Sequence, residues 1–454
     1  MNNIHDLRSF IARLDSLNQL ARISKPVSLN HELADVAAAL ERSGGPAPLF
    51  EFPQFPDGDG LHWPVFSSGL AQHDRVAGAL ECSRDDISAV MGKALDPANG
   101  IPPVTFADAP WKKNVLTGDQ VDLRRLPIPV HAVHDGGPFI TGGVIVTRDP
   151  SNPARGNLSY NRMQILGSRT FGMNVNEWRD VMWFLNQVEP KNEPLPVAVA
   201  IGLDPAIMIA AGCKYDGDEL AIAGAIRGRG VEVTRAVTQD LLVPVGAEIV
   251  IEGFVPPNVR REEGPLAEFH GYYGELWKSP TFEVTAICFR DDPIFQTVIP
   301  GWNEHIYIGN VLPREPLLLR FVRHASKNVK GLHIPPYANG FTAIVQVAKK
   351  NPGEPKNVAL AAFTAHVNIR VCLVVDPDVN IYDPADVLWA LTSRVDWASD
   401  TFTIPGAQGH EMDPANDARG VGTKIGIDAT EKGRRDYGER VRYGEVELAK
   451  YVGG

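Results

Sequence analysis

The middle third of the chain consists of short apolar runs separated by turn signals, and this pattern restricts the fold more than any other. Between about residues 126 and 295, the runs are rich in Val, Ile, Thr and Gly. They cover residues 139–147, 195–201, 231–234, 248–254 and 282–289. Runs of strand length at such spacing are typical of a β-sandwich or β-barrel. A helical patch at residues 178–188 interrupts the predicted strands.

Both flanks of this third have a mixed α/β pattern. On the N-terminal side we predict helices at residues 7–17 and 86–95 and one from a cap at Asn30 to Gly44, strands at 48–52 and 64–66, and a proline-rich linker at 101–110. On the C-terminal side we predict helices at 317–326, 357–367 and 384–394, alternating with strands at 341–347 and 370–376. A chain of 454 residues is expected to form two or three domains. We place them at residues 1–110, 111–313 and 314–454.

Composition excludes several classes of partner. The net charge of -11 argues against binding to nucleic acid, which requires a basic face. The N-terminus lacks the pattern of a signal peptide, and the most apolar segment, residues 197–211, is too short to span a bilayer. The chain has four cysteines, Cys82, Cys213, Cys288 and Cys372. Their spacing fits neither a metal finger nor a CxxC motif. We therefore expect a cytoplasmic protein with no membrane partner.

Residues 262–273 contain three carboxylates, one imidazole and two phenols. Glu263 and Glu268 would not share a face on a regular helix or strand, but Gly264 and Pro265 between them break both patterns. A loop there would allow both carboxylates to reach one cavity. Burial and mutual repulsion would then raise one pKa, so that this group donates a proton near neutral pH. Taken alone, the stretch is more simply interpreted as a solvated acidic turn.

Three further clusters contain polar groups that are candidates for catalysis or ligand binding. The segment 157–162 offers Asn157, Ser159 and Arg162, whose guanidinium is suited to hold a carboxylate in bidentate geometry. Gly212 would let backbone amides approach a phosphate, and Glu219 with Asn157 would form an all-oxygen site suited to Mg²⁺ or Mn²⁺. Residues 131–137 are predicted to form a shaped loop before the strand at 139. For each cluster alone, a polar turn or acidic loop is the simpler interpretation.

Together, these motifs resemble those of one family. The set Asn157, Ser159 and Arg162, the glutamate at Glu219 before a small-residue run, and the sequence EGPLAE at 263–268 are similar to the UbiD-like decarboxylases. Residues 243–253 and 422–430 resemble the family's connecting strand and C-terminal segment. The resemblance covers almost the whole chain, with several separate motifs in the same order.

The resemblance implies a fold and a cofactor. It implies an N-terminal α/β domain, a central split β-barrel that binds prenylated FMN, and a C-terminal α/β domain that dimerises. A divalent metal, Mn²⁺ or Mg²⁺, and a K⁺ ion would hold the cofactor phosphate. The implied metal ligands are Asn157 and Glu219, and carbonyls near Ala211 and Cys213 would bind K⁺. The residues implied to contact the cofactor are Asn157, Leu158, Ser159, Arg162, Cys213, Glu219 and Arg370, the last in place of a frequent lysine.

The resemblance also implies the chemistry. Arg162, Glu263 and Glu268 would form the catalytic network, in which Glu268 moves the proton at the carbon that loses carbon dioxide. The implied reaction is reversible, non-oxidative decarboxylation of an aromatic, heteroaromatic or α,β-unsaturated carboxylic acid. A flavin prenyltransferase would supply the cofactor, and a homodimer or larger homo-oligomer is expected. We also predict that His305 or Arg314 contacts a polar group of the substrate.

One departure from the family pattern leaves alternatives open. The family's third metal ligand is a histidine at a helix start, but Trp178 stands there and cannot bind a metal. Glu177 or Asp180 would substitute around a hard cation. Without a substitute, the chain would fit a structural or substrate-binding subunit of a carboxylase assembly. A plain-FMN oxidoreductase is the other alternative.

Overall fold

The N-terminal part of the chain alternates short helices with short strands. The computed structural model describes residues 4–177, 179–213, 217–434, 440, 441, 446 and 451. The first helices are α1 (Leu7–Ser16), α2 (Glu32–Arg42), α3 (His73–Leu80) and α4 (Ile87–Ala94). The first strands are β1 (Leu20–Ile23), β2 (Val27–Ser28), β3 (Ala47–Phe50), β4 (Pro53–Gln54) and β5 (Val65–Phe66). Asp6 and Ser9 form a capping box that starts α1, whose apolar side is buried.

The cap predicted for α2 is wrong by one residue. The N-cap is His31, because the backbone of Asn30 is already used in a parallel bridge to Val130. That pairing, with the hydrogen bond from His31 N to Val130 O at 3.0 Å, holds the backbone just before the helix begins. The helix ends with Ser43 as its C-cap, close to the predicted stop at Gly44.

The central part is dominated by β-strands, as predicted. They are β6 (Val104–Thr105), β7 (Asn114–Thr117), β8 (Phe139–Ile140), β9 (Val144–Arg148), β10 (Gly156–Tyr160), β11 (Met163–Ile165), β12 (Thr170–Met173), β13 (Leu195–Ile201), β14 (Glu232–Arg235), β15 (Leu242–Pro244), β16 (Ile249–Val255), β17 (Arg260–Glu263), β18 (Trp277–Phe289) and β19 (Phe295–Gln296). Ten of them form one sheet in the order β10-β9-β13-β16-β18-β12-β11-β8, with β17 and β7 also paired to β18. This sheet forms the β-rich centre of the chain, for which the family resemblance implied a split β-barrel.

Helices also occur in this central part. They are α5 (Asp180–Val188), α6 (Pro205–Gly212) and α7 (Glu219–Arg227). The apolar side of α5 joins the core formed by the strands. The prediction of a single helical patch was wrong, because α6 and α7 were not expected. The side chain of Asp204 caps α6 and that of Asp218 caps α7, each by accepting from a backbone amide of the first turn.

Two strands connect the parts of the chain. The predicted linker at 101–110 contains β6, which pairs in parallel with β14 in a three-stranded sheet. β19 leaves the central part and completes the N-terminal sheet, whose order is β1-β3-β5-β19. Glu248, whose side chain is fully buried, binds both Arg8 of α1 and Arg290. The N-terminal part is therefore fixed to the central sheet by strands and by buried ion pairs.

The C-terminal part is a five-stranded α/β layer. It contains α8 (Asn303–Ile306), α9 (Leu312–Ala325), α10 (Glu354–Ala365) and α11 (Pro384–Arg394), with β20 (Val329–His333), β21 (Thr342–Val347), β22 (Val371–Val375), β23 (Thr401–Gln408) and β24 (Val421–Ala429). A π-helical turn, Tyr307–Val311, joins α8 to α9. The strand order is β20-β21-β22-β24-β23. The predicted mixed fold class, with α/β parts around a β-rich centre, is confirmed. None of the helices in the described ranges combines the length and apolar character needed to cross a membrane.

Candidate active site

Arg162 lies between two carboxylates that are distant from it in sequence. It follows β10, in the turn to β11. Its Nη2 is 2.9 Å from Glu263 Oε1 and its Nε is 3.1 Å from Glu263 Oε2, while its Nη1 donates to Glu268 Oε1. The three side chains are almost excluded from solvent, at 10% exposure for Arg162, 0% for Glu263 and 13% for Glu268. The structure thus brings the predicted Arg162, Glu263 and Glu268 together in one buried cluster.

The strand ladder fixes the position of Glu263. It is the last residue of β17 and stands opposite Trp277 of β18 in the antiparallel register. Its Oε1 also accepts from Asn174 Nδ2 at 2.6 Å and from Ser279 Oγ at 3.3 Å. Sequence reasoning missed Asn174 and Ser279, because each reaches Glu263 only through pairing between distant strands. These bonds and the guanidinium leave the Glu263 carboxylate little freedom to turn.

Glu268 lies in the loop between β17 and β18, which begins with a cis peptide bond between Gly264 and Pro265. Burial raises the pKa of Glu268 above its ordinary value. The charge of Arg162 opposes this shift, and the charge of Glu263 adds to it. Glu268 therefore keeps its proton to a higher pH than an exposed glutamate does, which suits a proton donor.

The loop at residues 131–137 braces the glutamate loop. Gly136 N donates to the carbonyl oxygen of Pro265 at 2.8 Å, and Asp135 Oδ1 accepts from Ala267 N at 3.0 Å. The two backbones approach so closely that a Cβ on Gly136 would lie 2.1 Å from the carbonyl oxygen of Gly264. A glycine is needed there for space rather than for an unusual φ. Sequence reasoning noted this loop but missed its positioning role.

A second cluster of oxygens lies beside β10. Glu219, the first residue of α7, is buried, and its Oε2 accepts from Leu158 N at 2.9 Å. Asn157 Nδ2 donates to Asp180 Oδ2 at 3.2 Å, whereas Asn157 Oδ1 is buried without a hydrogen-bond partner. A buried amide oxygen of this kind is costly unless a donor or a cation satisfies it. The arrangement therefore fits a divalent cation bound by the oxygens of Asn157 and Glu219.

The electrostatics of this oxygen cluster also favour a bound cation. Burial, together with the nearby carboxylates of Asp218 and Asp180, raises the pKa of Glu219 to about 8. Cys213 is close enough to Glu219 to respond to its charge, and burial raises the pKa of this thiol to about 12, so it is uncharged at neutral pH. The cluster thus concentrates negative potential that a bound cation would relieve.

The candidates for the third metal ligand differ in placement. Trp178 lies outside the described residues, and Glu177 is exposed. Asp180 is in hydrogen-bond contact with Asn157, and its Oδ2 is 3.3 Å from Arg155 Nη2. Of the two carboxylates predicted as substitutes, Asp180 is therefore the one in contact with the oxygen cluster. The carbonyls predicted to bind K⁺ lie near Ala211 and Cys213, just before residues 214–216, which are outside the described residues. Their K⁺ contact stays a prediction.

Two arginines, Arg179 and Arg314, have interacting charges near this cluster. Burial, together with the charge of Arg179, lowers the pKa of Arg314 to about 9. Arg314 donates to the side chain of Asn310, and the Asn368 amide, turned to present its oxygen, accepts from it at 2.7 Å. Within the described ranges, neither arginine forms an ion pair with a carboxylate. An anion between them would relieve their repulsion.

The other predicted contact residues are placed separately. His305 Nδ1 accepts from Gly301 N at 3.1 Å, and its ring is 6.1 Å from that of Phe269, so it lies beside the glutamate loop rather than beside Arg314. Ser159 is buried and accepts from an amide at 3.1 Å. Arg370 Nε pairs with Asp413 at 2.7 Å, and no contact among the described residues joins Arg370 to Asn157 or Glu219. Its cofactor contact stays a prediction.

The C-terminal part covers the glutamate loop. The Phe269 ring lies 5.5 Å from that of Phe341 and 5.9 Å from that of His410, measured between centroids. Asn339 Nδ2 donates to the carbonyl oxygen of His270 at 3.3 Å. The loop therefore lies between the central sheet and the C-terminal layer, where relative movement of these parts would change access to Glu268.

Comparison with known proteins agrees with this architecture along the chain. Family models described as the N-terminal, Rift-related and C-terminal domains of 3-octaprenyl-4-hydroxybenzoate carboxy-lyase match residues 11–95, 103–303 and 307–429. The UbiD-class enzyme HmfF from Pelotomaculum thermopropionicum, in complex with FMN, is 33% identical with a TM-score of 0.91, and the match covers 99% of this chain and 100% of HmfF.

Two further solved structures are similar. An evolved dimeric form of the same HmfF, in complex with prFMN, is 32% identical with a TM-score of 0.88, over 99% of this chain and 100% of the other. Apo 3,4-dihydroxybenzoic acid decarboxylase (AroY) from Klebsiella pneumoniae is 29% identical with a TM-score of 0.91, over 99% of each chain. By all three family matches and by these likenesses, the chain belongs to the UbiD family of carboxy-lyases.

Proposed function

We propose that this protein catalyses the reversible, non-oxidative decarboxylation of an aromatic, heteroaromatic or α,β-unsaturated carboxylic acid with prenylated FMN. The observation that supports this most directly is the buried contact of Arg162 with both Glu263 and Glu268. A scaffold subunit has no need of a guanidinium held between two carboxylates, one of which has a raised pKa. The FMN and prFMN complexes of HmfF support the flavin, and AroY supports an aromatic acid.

The cofactor is required because decarboxylation leaves an electron pair on carbon. No side chain in the cluster accepts an electron pair, so prenylated FMN supplies the electron sink. We assign Asn157 and Glu219, with Asp180, to a Mn²⁺ or Mg²⁺ ion that holds the cofactor phosphate. Leu158 contributes through its amide, which orients Glu219. Ser159, Cys213 and Arg370 complete the predicted cofactor contacts, and the K⁺ ion is assigned to carbonyls near Ala211 and Cys213.

The protein side of the reaction is proton transfer and positioning. Arg162 holds the substrate carboxylate near the bound cofactor and keeps Glu263 in a fixed orientation. When the bond to the carboxyl carbon breaks, carbon dioxide leaves. Glu268 then gives its proton to the ring or vinyl carbon that carried the carboxylate. In the reverse direction, Glu268 takes that proton as a base. Glu263, held by Asn174 and Ser279, balances the charge of Arg162 throughout.

The far end of the substrate is assigned to two polar residues of different character. His305 lies beside Phe269 next to the glutamate loop, and Arg314 is close enough to Arg179 to respond to its charge. We assign to one of them a contact with a polar or anionic group of the acid. A homodimer or larger homo-oligomer is proposed for the assembly, and a flavin prenyltransferase for cofactor supply.

The test is to produce the protein with and without a flavin prenyltransferase, and to compare absorption spectra and decarboxylation of a panel of ring and vinyl acids. The proposal expects a modified flavin spectrum and carbon dioxide release only after co-production. A normal FMN spectrum with substrate-dependent bleaching under both conditions would instead identify an oxidoreductase. Protein that binds no flavin under either condition, with no activity, would identify a structural subunit.

A further inference from the structure

Two histidines and a glutamate meet at a place remote in sequence from Arg162 and Glu219. His73 is the first residue of α3, Glu315 lies in the first turn of α9, and His333 ends β20. One metal-binding atom from each lies within 4.8 Å of those of the other two. Glu315 and His333 are buried, and His73 is partly exposed. The cluster joins the N-terminal part of the chain to the C-terminal part.

Glu315 lacks a permanent positive charge beside it. Its Oε1 lies 2.9 Å from His333 Nδ1 and accepts from Ile334 N at 2.8 Å. Within the described part of the chain, no arginine or lysine forms an ion pair with Glu315. A buried carboxylate in such surroundings is costly unless a cation or a proton neutralises it. A metal ion would provide that charge.

His73 has the outer partner that a metal-binding histidine usually needs. Its Nδ1 faces the hydroxyl of Tyr307. With the Nδ1 proton donated to that oxygen, Nε2 keeps a free lone pair, and metal-binding histidines usually have such a partner on the other ring nitrogen. The Tyr382 ring packs 4.9 Å from the His73 ring and 4.8 Å from the His333 ring, between centroids, which restricts both.

We propose that His73, Glu315 and His333 bind one divalent cation of the zinc class and thereby join α3 to α9 and β20. Two imidazoles and one carboxylate form a ligand set that zinc uses in proteins, with water in the fourth position. Ligand atoms about 2.0–2.1 Å from the metal are about 3.3 Å apart in a tetrahedron. The pair formed by Glu315 and His333 is already near that separation, at 2.9 Å.

The remaining adjustment is small and falls on His73. The three ligand atoms lie within 4.8 Å of one another, so the largest separation shortens by at most about 1.5 Å to reach tetrahedral spacing. His73 stands at the start of α3, and a small rotation of its side chain against Tyr307 and Tyr382 would supply that movement. The mixed nitrogen and oxygen donors distinguish this site from the oxygen cluster of Asn157 and Glu219, which suits harder ions.

The test titrates Co²⁺ and Zn²⁺ into the chelator-treated full chain in excess Mg²⁺, which is added to fill the oxygen cluster proposed above. Four-coordinate Co²⁺ absorbs visible light far more strongly than six-coordinate Co²⁺, so a strong band reports a four-coordinate site, and the ligand variants assign it. We compare the parent with His333→Gln, which retains an amide donor toward Glu315, and with His324→Gln, a matched change at an exposed position of α9. His73→Gln tests the same site at a partly exposed position if His333→Gln does not fold.

We expect one equivalent of strongly absorbing Co²⁺ in the parent and in His324→Gln, and Zn²⁺ should raise the melting temperature of both. In His333→Gln and His73→Gln the band should disappear, and Zn²⁺ affinity should fall by about 100-fold or more, beyond the 10- to 100-fold of a lost outer-shell partner. The proposal is overturned if the parent shows no four-coordinate band, or if both ligand variants bind Zn²⁺ as tightly as the parent does.

Discussion

Replacing Glu268 by glutamine isolates the proton that the proposed reaction needs. Glutamine retains the length of the side chain and an oxygen that accepts from Arg162 Nη1, as Glu268 does. It removes the ionisable proton from a carboxyl group whose pKa burial has raised. Arg162 keeps its contacts to Glu263, because they use Nη2 and Nε rather than the Nη1 that meets residue 268. The cluster should therefore stay assembled while its proton donor is lost.

The expected loss of decarboxylation rate follows from the role of Glu268 as a general acid. Such assistance is typically worth roughly 100- to 10,000-fold in rate. Decarboxylation by Glu268→Gln should fall by an amount in that range, while the flavin stays bound. The exchange of the product's ring or vinyl hydrogen with deuterated water should fall in parallel, because it uses the same proton carrier. Glu275→Gln, an exposed change in the same loop, is the matched control and should behave like the parent.

The pH dependence supplies an independent check. Because the pKa of Glu268 is raised, the parent keeps its acid form to higher pH than an ordinary glutamate, and decarboxylation should decline as pH rises through that pKa. Glu268→Gln should lose this limb of the profile. The reasoning is refuted if Glu268→Gln decarboxylates and exchanges hydrogen at the parent rate. Glu263 or a water held by His270 would then be the better candidate.

The remaining predictions concern metal, packing and specificity. Glu219→Ala should lose divalent metal and flavin together, as metal analysis and absorption would show; retention of both would contradict the oxygen site. Because the pKa of Glu219 is about 8 without metal, Mn²⁺ must displace its proton at lower pH, and the Mn²⁺ dissociation constant measured by calorimetry should fall about tenfold per unit from pH 5 to 7 and level off above pH 8. Gly136→Ala should slow decarboxylation while flavin remains, because its Cβ collides with the glutamate loop; Gly309→Ala, which adds a Cβ in open space, should not. His305→Ala or Arg314→Ala should change the preference among ring acids more than flavin content, and unchanged kinetics for both across the panel would contradict the substrate contact.

The sequence predicted the elements whose patterns are local. The continuous apolar run of β13 and the capped helix α11 lie where their residues indicated. α6 was missed because its entirely apolar residues show no helical periodicity, although Asp204 before Pro205 is a recognisable start signal. β6 was missed because two residues pair only when β14 is beside them. Local pattern does not specify such long-range pairing.

The candidate site divides in the same way. The oxygens and charges of Arg162, Glu263 and Glu268 could be identified from a motif, since the chemistry needs those residue types. The partners that orient them could not, because Asn174 and Ser279 reach Glu263 only through the folded register of β12, β17 and β18. The cluster around Glu315 was missed for the same reason, since its members come from three separate elements.

The hairpin of β17 and β18 has a consequence for engineering substrate scope. Glu263 stands opposite Trp277 in the ladder, so any redesign that preserves strand pairing preserves Glu263. Glu268 instead lies in the connecting loop, close to its bracing contacts with residues 135 and 136. Its backbone is also paired with the distal half of the loop, because Glu268 N donates to Tyr272 O at 3.0 Å and Gly274 N donates to Leu266 O at 2.8 Å. Insertions at residues 271–276 and deletions between 264 and 268 would therefore both separate Glu268 from Arg162, and directed evolution of substrate scope should preserve the length of the whole loop.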